Sequence, residues 1–346
     1  MEPSSPTRDA HPAEAAPGSE PRSLTCMEVW GGNEPMESAV AVPGLDVHVY
    51  SRPYHDEAAG GDVLYVSSCG TGRIARILVA DVAGHGEKVA DIARVLRDLM
   101  RRFINYVDQT AFVFALNRAF AAAATDGRFA TAVAATYWSA TDCLTATNAG
   151  HPRPVWYCAE RGAWKILKDD DDPAGEPVSA NLPLGVIDLT EYDHITVRIA
   201  PGDVVLFYTD SIIEAREPGG QMLGERGLVQ MLGDLDAKRP QDLVRQLVDR
   251  VAAFRGGQEP DDDLTVLAMV CTGQKPPRPV REKMRSSTLF ARALIARLRD
   301  GRTPVPWPEV SVVNMLGAFI RPINRRWGGR LREGEVRTGA AARRPR

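Results

Sequence analysis

VLYVSSCGTGRIARILVADVAGHG, residues 63–86, contains two apolar runs separated by one pair of glycines and closed by another. Residues 63–67 and 74–82 are rich in Val, Ile, Leu and Tyr, as strands are, and Gly70 and Gly72 frame the turn that makes them a hairpin. Past Gly86 the period changes. Val89, Ile92, Ala93, Leu96, Leu99, Met100 and Phe103 recur at spacings of three and four. They draw one apolar stripe along a helix, with Arg94, Arg97, Asp98, Arg101 and Arg102 largely off it. A second helix is predicted over residues 109–124, with Phe112, Leu116 and Phe120 on one face. A hairpin running into two successive helices departs from the βα alternation of a doubly wound parallel sheet.

The flanking sequence extends this pattern. Residues 45–50 (LDVHVY) alternate apolar and polar, as a half-buried strand does. Further strands are predicted at 131–138, 143–148, 154–158, 164–167, 194–199, 204–208 and 264–271, a loop at 169–172, and a helix at 240–255. That helix carries Leu243, Leu247, Val248, Val251 and Phe254. Two packed sheets with helices outside them fit this order.

The chain divides by composition. Residues 1–24, rich in Pro, Ser, Ala and Glu, are expected to be disordered. Residues 25–273 form the folded body, and 274–346 a basic extension with an amphipathic helix candidate at 287–298 and a second apolar segment within 307–327. The 346 residues sum to a net charge of −3, but residues 1–273 carry 24 Lys and Arg against 40 Asp and Glu, and residues 274–346 carry 18 against 5. The tail is therefore expected to touch either an anionic membrane surface or the acidic body, and nucleic acid is not an expected partner. The five cysteines form no CxxC pair, which disfavours a zinc site or a disulfide framework. The first residues contain no secretory apolar run and no stretch approaches a membrane span, so a cytoplasmic location is expected.

Several aspartates stand at strand ends or beside glycines. Asp62 follows Gly60-Gly61, Asp81 ends ILVAD, Asp210 ends VVLFYTD, and Asp261, Asp262 and Asp263 precede LTVLAMV. Taken singly, each has an ordinary reading: a turn residue for Asp62, a helix cap for Asp81, a solvated run for 261–263. Taken together, carboxylates converging at strand ends repel one another and persist cheaply only around a cation, and all-oxygen donors select Mg2+ or Mn2+. Adjacent glycines leave space for water and phosphate. Asp203 in Pro-Gly-Asp reads as a turn, His85 and His151 as loop residues with structural roles, and Cys69 as a thiol without a catalytic partner.

In order, GGD (60–62), ADVAGHG (80–86), FATAVAATY (129–137), NAGHPRP (148–154), LPLGV (182–186), PGDVVLFYTDSIIEA (201–215) and DDDLTVLA (261–268) resemble the SpoIIE-type serine/threonine phosphatases, a bacterial branch of the protein phosphatase 2C-like, metal-dependent PPM superfamily. The resemblance covers roughly residues 45–272. It implies an α+β fold, an α-β-β-α sandwich of two central antiparallel sheets flanked by helices. It also implies two Mn2+ or Mg2+ ions and direct attack on phosphorus by a water held between them. By motif, Asp62, Asp81, Asp210 and Asp262 are the implied catalytic metal ligands, with the Val82 carbonyl assisting and Asp263 a further candidate. The implied substrate is a phosphoprotein, an anti-anti-sigma-like regulator of a partner-switching pathway, and a second copy of the chain is an allowed partner. The two helices after GHG often serve as a regulatory switch in such proteins. The competing function is a catalytically silent phosphatase fold that only binds a partner. Two departures stand out: Val63-Leu64-Tyr65-Val66 follows GGD where an aromatic and a second aspartate are usual, and Ser211 replaces the glycine of YTDG.

Overall fold

The computed structural model describes residues 21–24, 28–69, 72–83, 87–106, 108–124, 127–167, 181–187 and 192–274. His85, the 169–172 run and all but the first residue of the basic extension lie outside them. In chain order the elements are β1 (Arg22–Ser23), β2 (Val29–Gly32), β3 (Met36–Val42), β4 (Leu45–Arg52), β5 (Asp62–Ser68), β6 (Ile74–Val82), α1 (Glu87–Arg102), α2 (Gln109–Ala123), β7 (Ala130–Trp138), β8 (Cys143–Ala149), β9 (Val155–Cys158), β10 (Ala163–Ile166), β11 (Ile195–Arg198), β12 (Val204–Tyr208), α3 (Asp210–Ile213), α4 (Gly224–Gly233), α5 (Pro240–Phe254) and β13 (Leu264–Cys271).

The strands form two sheets, ordered β1-β3-β4-β13-β12-β9-β10 and β11-β8-β7-β6-β5-β2. All pairings are antiparallel except the short parallel contact of β1 with β3. Residue parity explains how they stack. On β5 and β6, Leu64, Val66, Ile77 and Val79 face the other sheet, and there they meet Val205 and Phe207 of β12 and Leu267 and Met269 of β13. The alternate residues Val63, Tyr65, Leu78 and Ala80 face outward onto α1 and α2. Leu206, Val266 and Ala268 turn outward onto Leu243, Leu247 and Val251 of α5 and Leu228 and Leu232 of α4. The period-2 alternation thus gives each sheet two apolar faces, one for its partner sheet and one for helices. The result is an α+β arrangement of two sheets flanked by helices.

The stripe Val89–Ile92–Ala93–Leu96–Leu99–Met100–Phe103 is buried at every position. Asp108 caps α2, its carboxylate accepting from the Ala111 N–H at 2.7 Å. Pro240 opens α5 at its first turn, where its missing N–H is no loss. Between β3 and β4 the chain reverses at Gly44, whose φ of +89° a side chain would strain. Within the stretch expected to be disordered, Arg22–Ser23 pairs with β3 and Leu24 is buried in the intersheet core.

One buried side chain ties the helical layer to the sheet. Arg76 on β6 is 1% exposed. Its guanidinium donates to the carbonyls of Ile104 (2.7 Å), Phe103 (3.4 Å) and Tyr106, just past the end of α1, and lies 4.3 Å over the Phe112 ring of α2. Burial lowers its pKa to about 10, so it stays charged at neutral pH. Tyr65 adds a second tie, its hydroxyl donating to the Ala93 carbonyl of α1 at 2.7 Å. Tyr65, in the run that follows GGD, thus serves the helix layer. No helix among the described residues is long and apolar enough to cross a membrane.

Candidate metal centre

The parity that builds the intersheet core also aims the acidic residues. Asp62 and Asp81 are directly opposed across the β5–β6 ladder. Asp62 is in phase with Leu64 and Val66, and Asp81 with Ile77 and Val79, so both belong to the intersheet side at one end of the sandwich. Thr209, in phase with Val205 and Phe207, and Thr265, in phase with Leu267 and Met269, answer from the other sheet. The Thr209 hydroxyl donates to Asp62 Oδ2 at 2.8 Å, bridging the layers. Asp210 begins α3 just beyond Thr209, and Asp262 and Asp263 precede β13.

Asp263 is occupied by backbone. Its Oδ1 accepts from the Tyr54 N–H at 2.6 Å, and its Oδ2 accepts from the N–H groups of Gly61 and Asp62, the latter at 3.1 Å. Asn33 brackets the same loop, its Nδ2 donating to the Gly60 carbonyl at 2.9 Å and its carbonyl accepting from the Gly60 N–H at 2.8 Å. The glycines are therefore sites of close approach: a Cβ on Gly60 would lie 2.5 Å from Asp263 Oδ2. Gly60→Ala is expected to cost about 1–3 kcal/mol and to weaken Mn2+ binding, as read by chemical denaturation and metal titration. An unchanged denaturation midpoint would show that the loop does not need this contact. On Gly61 a Cβ would lie 3.2 Å from the Val82 carbonyl oxygen and 3.5 Å from Asp81 Oδ1, which places that carbonyl among the carboxylates.

Asp62, Asp81, Asp210 and Asp262 are each harder to ionise than a free aspartate. Burial, then the charges of Asp210, Asp262 and Asp263, push Asp81 up to about 7. Burial and the charges of Asp81 and Asp263 raise Asp62 well above the carboxylate range, against the Thr209 hydrogen bond. Burial raises Asp210, with Glu214 adding repulsion, and raises Asp262, with Asp263 and Asp210 adding repulsion. None of the ion pairs among the described residues includes any of these aspartates. The side chains are near enough to repel one another, yet among the described residues no three His, Cys, Asp or Glu groups close to metal-holding distance. Mutually repelling, all-oxygen donors without a cationic side chain are nonetheless the chemistry that suits hard divalent ions.

Other sequence candidates fall elsewhere. Asp203 is a buried turn residue, accepting from the N–H groups of Ala159 (2.8 Å) and Ala200 (2.9 Å). His151 lies in a turn clasped by Asn148, which bonds its N–H at 2.8 Å and its carbonyl at 2.7 Å. Its Nδ1 is 2.9 Å from the hydroxyl of Thr131, the residue paired with Asp81. Burial lowers His151 to about 3, so it is neutral. Cys69, Cys143, Cys158 and Cys271 form no disulfide. Ser211 fits without strain, because its position lies inside α3; its hydroxyl donates to the Asp263 carbonyl, and Arg255 donates to the Ser211 carbonyl. Sequence reasoning missed Thr209 and Asn33 as supports of the site. Thr209 was accessible through its two-residue phase with Val205 and Phe207, whereas nothing local marks Asn33.

Facing sheets, outer helices and strand-end carboxylates define a phosphatase fold of the PPM/PP2C type. The SpoIIE family, described as Stage II sporulation protein E, matches residues 71–271. The chain belongs to that family. Asp81, Asp210, Asp262 and Asp263 lie inside the match and Asp62 just before it. Among solved structures, the chain resembles the RsbU and RsbW domains of Rv1364c from Mycobacterium tuberculosis, at 24% identity and a TM-score of 0.55, over 74% of this chain and 69% of that one. It also resembles the SiaA PP2C domain of Pseudomonas aeruginosa (20% identity, TM-score 0.54, 65% and 85% covered). A third likeness is RsbX in complex with magnesium (16% identity, TM-score 0.50, 68% and 99% covered).

Proposed function

We propose that this chain is a metal-dependent protein serine/threonine phosphatase that hydrolyses a phosphorylated regulatory protein in a bacterial signalling pathway. The carrying observation is the set of repelling carboxylates aimed from both sheets into one end of the sandwich, with Asp81 pushed up to about 7 by burial and then by the charges of its neighbours. Asp62, Asp81, Asp210 and Asp262 would hold two Mn2+ or Mg2+ ions, assisted by the Val82 carbonyl. The magnesium complex of the similar RsbX supports this choice of ion. Two bound cations would supply an acidified water for attack on phosphorus and positive charge for the phosphoryl oxygens.

The chain's own residues do the positioning. Thr209 fixes the Asp62 carboxylate across the intersheet gap. Asp263 acts behind the ligands, its oxygens holding the Tyr54, Gly61 and Asp62 amides so that the loop presents Asp62 in one place. A phosphorylated regulator of the anti-anti-sigma type is the substrate to which the family resemblance points.

The test is hydrolysis of p-nitrophenyl phosphate and of a phosphoserine peptide by the purified chain. Turnover is expected with Mn2+ or Mg2+ and should vanish on chelation. Activity no higher than that of Asp210→Asn would overturn the reading and leave a silent fold that only binds its partner.

A further inference from the structure

Asp62 and Asp81 are fixed by a strand ladder, but Asp210 and Asp262 are not. Asp210 opens α3, a single turn of four residues closed by the Glu214 N–H on the Asp210 carbonyl at 2.8 Å. So short a helix does not hold itself, because fixing its dihedrals costs more than its few hydrogen bonds return. Asp262 lies in the segment that leads into β13. Side-chain packing and side-chain bonds must therefore place both carboxylates. Ile212 supplies packing, fully buried against the α4 and α5 side of the sheet. Ser211 and Arg255, only 5% and 6% exposed, supply the bonds. The Ser211 hydroxyl donates to the Asp263 carbonyl across 52 residues, and Arg255, at the end of α5, donates through Nη2 to the Ser211 carbonyl across 44.

Asp263 is the point where these ties meet. Its N–H donates to Asp262 Oδ1 at 2.8 Å, its carbonyl accepts from Ser211, and its carboxylate holds the Gly61 and Asp62 amides. Each polar group of one residue thus serves the segment of a different ligand aspartate. Arg255 has a narrow task. Its Nε and Nη1 are buried without a hydrogen-bond partner among the described residues, so Nη2 on Ser211 is the one such bond of its guanidinium there. Burial lowers its pKa, and the charges of Asp261 and Glu259 work against that. A buried cation that leaves two nitrogens unpaired is a costly way to hold one carbonyl, and such a group calls for a reason.

We propose that Ser211 and Arg255 are positioning residues of the metal centre, a latch that ties the Asp210 helix to Asp263 and so sets Asp210 and Asp262 at one separation before an ion binds. The inference rests on the phosphatase reading and adds to that site two residues outside its ligand set. A glycine at 211, as in YTDG, has no hydroxyl and cannot form the latch. Asp210 and Asp262 repel each other, and an untied α3 would relieve that repulsion by moving away. With the latch closed, the strain of gathering the donors is borne by folding, and less of it is subtracted from metal affinity.

The experiment titrates Mn2+ by calorimetry, and follows p-nitrophenyl phosphate turnover at graded Mn2+, for wild type, Ser211→Gly, Ser211→Thr, Arg255→Met and Asp203→Asn. The last cuts a buried carboxylate clasp at the opposite end of β12 and reports what lost stability alone does. Ser211→Gly and Arg255→Met should weaken Mn2+ binding about tenfold and raise the Mn2+ needed for half-maximal turnover equally. Their kcat at saturating Mn2+ should stay within about threefold of wild type, because excess ion draws an intact ligand set together by mass action. Ser211→Thr, which keeps the hydroxyl, and Asp203→Asn should bind Mn2+ as wild type does. Affinity in the glycine and methionine variants equal to wild type, or weakened no more than in Asp203→Asn, would overturn the latch. Weakened binding in those two variants, with no turnover of p-nitrophenyl phosphate or a phosphoserine peptide by any of the proteins, would overturn the phosphatase reading and leave the latch standing. A wild type that binds no Mn2+ would overturn both.

Discussion

Asp81→Asn is expected to reduce Mn2+-dependent hydrolysis of p-nitrophenyl phosphate at least about 100-fold and, in the same protein, to raise the melting temperature measured in chelator. The loss follows from removing one anionic donor from a set whose cations would supply several kcal/mol to the transition state, where about 1.4 kcal/mol is tenfold. The gain in stability follows from proton linkage. The Asp81 carboxyl has an ordinary value of 3.8 and is pushed up to about 7 in the fold. Below pH 3.8 it is protonated in both folded and unfolded chains, and its contribution to stability is complete. As pH rises from 3.8 through about 7, the unfolded chain gives up the proton readily and the folded one reluctantly, so stability is lost. By pH 8 the loss is a few kcal/mol at most, because solvent still reaches the group. Asparagine removes that loss, and ~1 kcal/mol corresponds to about 2–4 °C in a domain of this size. Mn2+ should stabilise the wild type and do so much less for the variant. Thermal melts at pH 5 and pH 8, with Mn2+ and with chelator, read all of these changes. Equal melting temperatures for both proteins in chelator at pH 8 would show that Asp81 carries no such burden. His151 works in the other direction. Its value falls from 6.5 to about 3, so its contribution is present above pH 6.5 and is lost as pH falls toward 3.

Arg76→Ala should destabilise the fold by about 3–5 kcal/mol, the range for large truncations in a packed interior. Three carbonyls following α1 would lose the guanidinium, though that of Phe103 keeps the Tyr106 N–H, and a buried acceptor left unpaired carries its own penalty. The void would also strip contacts from the Phe112 ring. The charge is tolerated there because the C-terminal end of a helix carries partial negative charge and the aromatic face adds more. Arg76→Lys should recover little, since one ammonium cannot reproduce a fork that reaches several carbonyls at once. Urea denaturation is the measurement, and a loss under about 1 kcal/mol for the alanine variant would mean that the helix pair holds to the sheet without this residue.

The sequence was most legible where periodicity was long. The α1 stripe and the strand β6 coincide with their predicted spans because burial on one or both faces leaves a pattern that a single sequence displays. β3 went unseen because Ser38, Ala39 and Ala41 blur its alternation, and it is a strand chiefly because it pairs with β4 from Leu45 to Ser51. α4 was missed for a related reason. Gly224, Gly227 and Gly233 argue against a helix, and the burial of Leu228 and Leu232 against the sheet outweighs that local preference. At the site, motifs identified the aspartates, whereas the partner of each depends on contacts over long separations. Asp263 meets Gly61 across 202 residues and Thr209 meets Asp62 across 147. No local pattern records such pairings, and for that reason Asp263 read as a ligand candidate rather than as the clasp of a loop.

Asp62 and Asp81 ride on one sheet, while Asp210 and Asp262 sit at the strand ends of the other. Cations held by all four would rivet two slabs otherwise joined by the Thr209 and Asp263 hydrogen bonds and by a greasy seam of side chains such as Phe207 and Leu267. Slippage along that seam would pull the rivet holes out of line, so trimming Phe207 should surface in a metal titration as slackened grip.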